Sequence, residues 1–282
     1  MQQLKDLRVA LIGGGNMGRG LIGGLIARGL PAAQITVADL HEAGLAVLAR
    51  DFGVATTPDN AVALRGAQVA VLAVKPQQMA PVVTALRPAL AAGKPLLLSV
   101  AAGIRALDLA RWAGPGIAVV RAMPNRPALV GAGASGLYAD AGVTPAQRDL
   151  AALVMAATGL AVWVDDEQQL DVVTALSGSG PAYFFLLAEL MAEAAVARGL
   201  APTVARQLAA QTLAGAGQLV AAEPDADLAR MRAEVTSKGG TTEAALAQFA
   251  ACRLNETVRI AMDAAAQRSR ELAELFGSEQ SA

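Results

Sequence analysis

A glycine-rich turn lies near the start of the chain. The segment Ile12–Gly18 has the sequence IGGGNMG, in which Gly13, Gly15 and Gly18 match the pattern G-x-G-x-x-G. Such glycines permit a tight turn and let the backbone approach a pyrophosphate, which then lies at the N-terminus of the following helix. An apolar run precedes the turn and a helical pattern follows it, as a dinucleotide site requires. We therefore predict such a site; a tight glycine turn without a ligand is the alternative.

Asp39 is placed where an acidic residue contacts an adenosine ribose. It ends the second predicted strand, about 20 residues after Gly18, and acids at this position accept hydrogen bonds from the ribose in NAD sites. A carboxylate there would repel a 2′-phosphate, so Asp39 favours NADH over NADPH. The alternative is a solvated residue that caps the helix beginning near His41.

Three more segments follow predicted strands, at the edge of a parallel sheet where ligands bind. Lys75 and Pro76 follow the third strand, and Lys75 is either a cofactor contact or a solvated lysine at a helix start. The small residues of Val100–Gly103 leave room for a flat nicotinamide or a ribose. Asn125 follows the fifth strand and either binds a ligand or caps a turn.

A second loop, Thr236–Thr242 (TSKGGTT), runs directly into the last long helical pattern, Thr241–Leu275. Its two adjacent glycines leave backbone N–H groups open, its serine and threonines add hydroxyl groups, and a helix N-terminus favours an anion. On spacing alone, an anion site and a plain helix start with Thr241 as the N-cap are equally compatible with this loop.

The segment Ser177–Pro181 (SGSGP) interrupts another helical pattern. Ser179 can cap the next helix and Pro181 suits its first turn, so a structural break explains the segment. Its small residues also leave room for the nicotinamide end of a cofactor, which is a second interpretation.

The composition excludes several kinds of site. Of 282 residues, 54% are hydrophobic and 17% charged, which indicates a folded protein. One cysteine, Cys252, and one histidine, His41, provide neither a disulfide nor a metal-ligand cluster, so we predict no metal site. The net charge of −1 gives no electrostatic reason to expect nucleic acid or an anionic membrane. The single cysteine and the polar start of the chain predict a cytoplasmic protein.

The two halves of the chain differ in pattern. In the first half, apolar runs alternate with helical stretches, which predicts an α/β Rossmann domain with a doubly wound parallel sheet over residues 1–165. After Asp165 the strand signals stop, and alanine-rich helical patterns predict an all-α domain over residues 166–282. The predicted strands are Leu7–Ile12, Gln34–Ala38, Gln68–Val74, Pro95–Val100, Ile117–Ala122, Ala134–Tyr138 and Leu160–Val164.

One helical pattern of the second half carries a broad apolar stripe. It is formed by Leu186, Leu187, Leu190, Met191 and Ala194. Such a stripe is normally buried, so we expect it to pack against helices of a second subunit. We expect no membrane-spanning helix, because the longest uncharged apolar run that we identify, between residues 149 and 165, is shorter than the roughly 20 residues required.

Six segments together resemble the pyrroline-5-carboxylate reductases, and the resemblance extends over nearly the whole chain. Each segment alone is a weak signal, whereas all six in order are specific. They are Ile12–Gly18, Ala73–Gln77, Ser99–Gly103, Met123–Asn125, Ser177–Tyr183 and Thr236–Thr242.

The resemblance implies an activity and an assembly. The activity is that of an oxidoreductase on CH–NH bonds, which transfers a hydride from NADPH or NADH to L-1-pyrroline-5-carboxylate and gives L-proline in the last step of proline biosynthesis. The C-terminal domain would bind substrate and dimerise by interleaving, and the dimers would form a larger ring.

The resemblance also implies the site residues. Those that match the cofactor contacts of the family are Ile12, Gly13, Gly14, Gly15, Asn16, Met17, Gly18, Asp39, Asn60, Ala73, Val74, Lys75, Pro76, Val100, Ala101 and Ala102. Those that match its substrate loop are Ser237, Gly239, Gly240, Thr241 and Thr242.

Two positions depart from the pattern of the family. Lys238 stands where proline is common, and we expect it to point to solvent. Asp39 stands where many members have a small polar residue, which suits NADPH, whereas Asp39 favours NADH.

The reaction does not require a strong general acid. The cofactor supplies the hydride, and the protein orients the two rings. The imine nitrogen is basic and either arrives protonated or takes its proton from water or a hydroxyl group. Thr242 is our candidate for the hydroxyl group that hydrogen-bonds this nitrogen, and hence for the catalytic residue.

Two other functions are weighed against this one. Another two-domain reductase is possible, such as a β-hydroxyacid dehydrogenase or an imine reductase of different scope. The dehydrogenases place a catalytic lysine early in the second domain, and residues 165–200 contain no lysine. The second alternative is a non-catalytic nucleotide sensor. Such a sensor would not need the second anion site at 236–242.

Overall fold

The first half of the chain supplies the strands of this computed structural model, which describes residues 6–223, 225 and 227–278. All seven predicted strands are present, and a short strand, β3, is an addition that the sequence did not reveal. The strands are β1 (Val9–Ile12), β2 (Ile35–Ala38), β3 (Ala55–Thr57), β4 (Val69–Leu72), β5 (Leu96–Ser99), β6 (Val119–Met123), β7 (Gly133–Ala139) and β8 (Gly159–Trp163).

These strands form one sheet in the order β3-β2-β1-β4-β5-β6-β7-β8. The order reverses between β1 and β4, which is the feature of a doubly wound fold that creates a ligand crevice. All pairs are parallel except β6 with β7. The segment that joins these two strands contains only a short 3₁₀ helix, Arg126–Val130, and is too short for a parallel crossover. The fold class is as predicted, with this one antiparallel pair.

Helices cover both faces of the sheet. Because side chains alternate along a strand, Leu11 and Val71 belong to one buried cluster and Ile12 and Leu72 to the other. Burial on both faces explains the nearly continuous apolar runs of the central strands. The helices up to this point are α1 (Asn16–Ala27), α2 (Glu42–Phe52), α3 (Asn60–Ala63), α4 (Pro76–Ala85), α5 (Arg87–Gly93), α6 (Ala106–Ala113) and α7 (Pro145–Ala156).

The rest of the chain is helical among the described residues. The predicted helix Thr241–Leu275 is two helices, because the chain turns at Arg253, which has a φ of 57°. The helices are α8 (Gln169–Val173), α9 (Gly180–Val196), α10 (Pro202–Ala222), α11 (Leu228–Glu234), α12 (Thr241–Ala251) and α13 (Leu254–Ser278), with a π-helical turn at Thr174–Gly178.

The chain packs as two compact units. The first comprises Met1–Ser179 with Ala264–Ala282, and the second comprises Gly180–Asp263. The buried side chains of Asp171 and Ser269 illustrate why α8 and the end of α13 belong to the first unit: the Ser269 hydroxyl donates to Asp171 Oδ1 at 2.6 Å. The division after Asp165 follows the end of the strand signals and stays a prediction. Residues 1–5, most of the polar start of the chain, and 279–282 lie outside the description.

The predicted apolar stripe of α9 is exposed in the single chain. Leu186, Leu187, Leu190 and Met191 are 42–53% exposed, and Phe184 is 60% exposed. By length and composition alone, the helical run Gln169–Val196 is also apolar enough to cross a membrane. The run includes Asp171, Glu189 and Glu193, and our expectation of no membrane-spanning helix stays a prediction. A helix buried in a soluble oligomer passes the same test.

Candidate functional site

The three glycines of the first motif have different structural roles. A Cβ atom at Gly13 would lie 2.7 Å from the carbonyl carbon of Ala73, and one at Gly18 would lie 2.5 Å from the carbonyl oxygen of Gly13. A Cβ atom at Gly15 would meet no atom within 4 Å. Packing within the protein therefore requires Gly13 and Gly18, whereas Gly15 leaves open space beside the backbone. This is the arrangement that a pyrophosphate needs.

The glycine-rich loop ends at the N-terminus of α1. Gly15 is the N-cap of α1 and has no side chain to satisfy the first N–H groups of the helix. Arg19, one turn into α1, forms an ion pair at 2.6 Å with Asp51, which lies at the end of α2. The hydrogen bonds that Arg19 and Arg50 donate to Asp51 lower the pKa of its carboxyl group. This ion pair joins α1 to α2, and the N-terminus of α1 suits an anion because no side chain caps it.

Asp39 contacts the glycine-rich loop directly. Its Oδ2 accepts from the backbone N–H of Gly14 at 2.7 Å, and its Oδ1 accepts from that of His41 at 2.9 Å. The N-cap of α2 is His41, whose Nδ1 accepts from the N–H of Gly44 at 3.0 Å. The capping role considered for Asp39 is therefore taken by His41, while Asp39 lies at the end of β2 beside the loop.

The other predicted cofactor residues lie at the same edge of the sheet. The N–H of Ala73 donates to the carbonyl of Ile12 at 2.8 Å, which joins the ends of β1 and β4. Lys75 is exposed at the N-cap of α4, and Asn60 is the half-buried first residue of α3. The small residues after β5 are buried or half-buried: Val100, Ala101 and Ala102. Parallel pairing of β1, β2, β4 and β5 brings these segments together.

Asn125 has a structural role that the sequence left open. It is 8% exposed, its Nδ2 donates to the carbonyl of Ser177 at 2.9 Å, and its Oδ1 accepts from the N–H of Ala134 at 2.9 Å. Ser177 belongs to the π-helical turn Thr174–Gly178. The predicted helix break is therefore a π turn, a feature frequent at functional sites, and Asn125 fixes it to the ends of β6 and β7.

The second predicted loop lies in the second unit, where Gly240 rather than Thr241 is the N-cap of α12. Gly239 has a φ of 72°, which favours glycine. The N–H of Gly240 donates to the carbonyl of Ser237 at 3.0 Å. Ser237 is exposed and Thr242 half-buried.

Sequence reasoning missed two acidic residues. Glu243 accepts from the N–H of Gly239 at 2.7 Å. Glu167 accepts from the buried guanidinium of Arg121 at 2.9 Å and from the N–H of Ala106 at 2.7 Å, so that it joins β6 to the start of α6. An acidic residue in the first turn of a predicted helix could have suggested Glu243, whereas no local signal identifies Glu167. Across the described residues, no group of three His, Cys, Asp or Glu side chains could hold a metal ion.

Two family models match the chain. The model described as pyrroline-5-carboxylate reductase dimerisation matches residues 167–272, which contain the exposed stripe of α9 and the second loop. The model described as NADP oxidoreductase, coenzyme F420-dependent, matches residues 8–103, which contain the first loop and Asp39. The two matches support a nicotinamide cofactor and oligomerisation through the helical part.

Relatives cover nearly the whole chain. A pyrroline-5-carboxylate reductase of Pseudomonas aeruginosa is 49% identical over 96% of this chain and 98% of its own length. One of Haemophilus influenzae is 44% identical over 95% and 98%. Among solved structures, the enzyme of Coxiella burnetii has a TM-score of 0.90 at 41% identity, covering 95% of this chain and 98% of its own. A Plasmodium falciparum pyrroline carboxylate reductase with NADP bound has a TM-score of 0.81 at 25% identity, covering 96% and 100%. This chain therefore belongs to the pyrroline-5-carboxylate reductase family.

Proposed function

We propose that this chain reduces the C=N bond of L-1-pyrroline-5-carboxylate with a hydride from a nicotinamide cofactor and releases L-proline. The observation that carries the proposal is the full-length similarity to reductases of this name, at up to 49% identity among those compared. The open backbone at Gly15 supports it, because it leaves room for the pyrophosphate of the cofactor.

The chemistry divides between cofactor and protein. When bound, the cofactor supplies the hydride that becomes attached to the imine carbon, and the ring nitrogen keeps or gains one proton. The chain binds the substrate carboxylate at the loop that contains Ser237, Gly239, Gly240 and Thr241. The hydroxyl group of Thr242, a half-buried residue, hydrogen-bonds the ring nitrogen and orients it. A loop at a helix N-terminus suits this role because it favours negative charge.

The preferred nucleotide is NADH. The carboxylate of Asp39 lies at the end of β2 and contacts the loop that would hold the pyrophosphate. A 2′-phosphate on the adenosine ribose would approach this carboxylate, and two negative charges at close range repel each other. A free 2′-hydroxyl group can instead donate a hydrogen bond to it.

The helical part assembles two chains, and the dimers form a larger ring. The exposed apolar side chains of α9 support the dimer, because a row of large apolar side chains is costly to leave in water. An apolar groove of about 1090 Å³ between α9 and α10 is lined by Phe185, Val196 and Leu213, among others, and offers space for a helix of a second chain. The functional domains divide after Asp165, and the enzyme works in the cytoplasm.

The test follows oxidation of NADH and NADPH in parallel by the purified protein with L-1-pyrroline-5-carboxylate. Formation of proline, with NADH giving the higher kcat/KM, is the expected result. Turnover of other cyclic imines but not of this substrate would indicate an imine reductase of different scope. Cofactor binding without any turnover would indicate a sensor.

A further inference from the structure

A carboxylate of the protein already binds the loop proposed for the substrate. The N–H of Gly239 donates to Oε2 of Glu243 at 2.7 Å, and Glu243 lies in the first turn of α12. The side chain of Glu243 is exposed, so water can solvate it as an alternative. The contact can therefore be exchanged for a ligand without disturbing a packed core.

The two glycines of the loop use their N–H groups differently. The N–H of Gly240 donates to the carbonyl of Ser237 at 3.0 Å and is thus used inside the loop. A Cβ atom at Gly240 would also lie 2.4 Å from Ser237 Oγ, whereas one at Gly239 would meet no atom within 4 Å. The N–H of Gly239 instead donates to a side-chain carboxylate, that of Glu243, and the space beside the Gly239 Cα atom is open.

A substrate carboxylate at this loop would compete with Glu243 for two reasons. Both groups need the same kind of hydrogen-bond donor. Two carboxylates at one helix N-terminus also repel each other, because both are negative. The helix end carries only about half a positive elementary charge to offset them. Binding of substrate therefore either displaces Glu243 into water or leaves two negative charges close together, and both processes cost free energy.

We infer that Glu243 sets the affinity for the substrate: it is an internal carboxylate that occupies the Gly239 N–H and leaves it when the substrate carboxylate binds. This inference rests on the proposed role of the Ser237–Thr242 loop. Glu243 acts on binding and is a specificity residue, not a catalytic one. An ordinary helix cap would have the opposite effect, because its loss would loosen the loop and weaken binding.

The experiment compares the wild-type enzyme with Glu243→Ala and Glu243→Gln in steady-state assays with L-1-pyrroline-5-carboxylate. Glu243→Ala should lower KM about three- to tenfold while kcat stays within about twofold, because it frees one charge-assisted hydrogen-bond donor. Glu243→Gln should lower KM less, since the amide oxygen still accepts from Gly239 although the charge is gone. Circular dichroism and thermal unfolding of each variant check that it is folded.

Two controls separate competition from a general effect of charge. Glu256→Gln makes the same change in the first turn of α13, where Glu256 pairs with Arg253, and KM should be unchanged. The ring 1-pyrroline lacks the carboxylate, so its kcat/KM should be the same in the wild type and in Glu243→Ala. A change in kcat/KM for both substrates, 1-pyrroline and L-1-pyrroline-5-carboxylate, would mean that the conformation of the loop had changed. That result would overturn the inference.

Failure of the inference differs from failure of the proposed function. If the wild type forms proline and the Glu243 variants have an unchanged or higher KM, Glu243 is a helix cap and the inference is wrong. If the wild type forms no proline at all, the proposed function is wrong.

Discussion

The carboxylate of Asp39 holds the N–H of Gly14 at 2.7 Å, so the residue proposed to choose between nucleotides also shapes the loop proposed to bind their pyrophosphate. A substitution at Asp39 therefore changes two things: the charge beside the ribose, and the hydrogen bonds that its two oxygens accept from Gly14 and His41. Tests of cofactor preference must separate these two effects.

Replacing Asp39 should move the preference of the enzyme toward NADPH. In Asp39→Asn the amide oxygen can still accept from Gly14, whereas the charge and the hydrogen bond from the N–H of His41 are lost. We expect the ratio of kcat/KM for NADPH to that for NADH to rise about tenfold, which corresponds to roughly 1.4 kcal/mol of removed repulsion. Asp39→Ser should raise the same ratio but weaken the binding of both nucleotides, because a shorter side chain no longer reaches Gly14.

The matched control for Asp39 is Glu42→Gln, which removes an exposed negative charge in the first turn of the adjacent α2. This variant should leave the ratio within about twofold of the wild-type value, since an exposed charge is screened by solvent. Equal ratios in the wild type and in Asp39→Asn would show that Asp39 does not approach the ribose.

The first two glycines of the motif, Gly13 and Gly15, should respond differently to substitution by alanine. Gly13 has a φ of 107° and no space for a Cβ atom, so Gly13→Ala should lower the free energy of unfolding by at least about 2 kcal/mol. Gly15 has a φ of −68° and open space beside it. Gly15→Ala should therefore change the free energy of unfolding by less than about 0.5 kcal/mol. The Cβ atom at Gly15 would instead occupy the space of the pyrophosphate and weaken cofactor binding about tenfold.

Denaturant unfolding and calorimetric titration of the nucleotide measure the two quantities separately. A Gly15→Ala variant that binds the nucleotide as tightly as the wild type would place the pyrophosphate elsewhere.

Thr242 should affect turnover more than cofactor binding. Removing its hydroxyl group in Thr242→Ala should lower kcat about tenfold to a hundredfold, because the ring nitrogen loses its oriented hydrogen-bond partner. The Kd for the nucleotide should stay within about twofold. Thr242→Ser retains the hydroxyl group and should recover most of the rate. Wild-type turnover in Thr242→Ala would remove this residue from the mechanism.

The sequence predicted the fold well where burial controls the pattern. Central strands such as β1 and β4 are buried on both faces, and their apolar runs are therefore nearly continuous. The edge strand β3 (Ala55–Thr57) was missed because it is short and half exposed, so it carries little apolar signal. Pairing direction at β6 and β7 depends on the length of a connection and not on the composition of either strand.

The candidate site was predicted from its motifs, whereas its side-chain contacts were not. Gly13, Gly15 and Gly18 are recognisable because close backbone approach excludes other residues. Contacts between residues far apart in the chain leave no local pattern: Glu167 with Arg121 is one example. The sequence marks a break at Ser177–Pro181, but it does not distinguish a π turn from an interrupted helix, because the hydrogen-bonding pattern of a turn leaves no signal of its own.

Asn125 should be required for stability through both ends of its amide group. Its Nδ2 donates to the carbonyl of Ser177 and its Oδ1 accepts from the N–H of Ala134, both at 2.9 Å. Because Asn125 is 8% exposed, Asn125→Ala leaves two backbone groups without a partner and should lower the free energy of unfolding by about 2 to 4 kcal/mol.

Asn125→Asp distinguishes the two hydrogen bonds. Its carboxylate can still accept from Ala134 but cannot donate to Ser177, so an oxygen would face an oxygen and the loss should be as large as in Asn125→Ala. Asn255→Ala is the matched control, since Asn255 is exposed on α13 and its loss should cost less than about 0.5 kcal/mol. Denaturant unfolding measures the free energy of unfolding of Asn125→Ala, Asn125→Asp and Asn255→Ala. A stability of Asn125→Asp equal to that of the wild type would mean that the bond to Ser177 contributes nothing to holding the π turn.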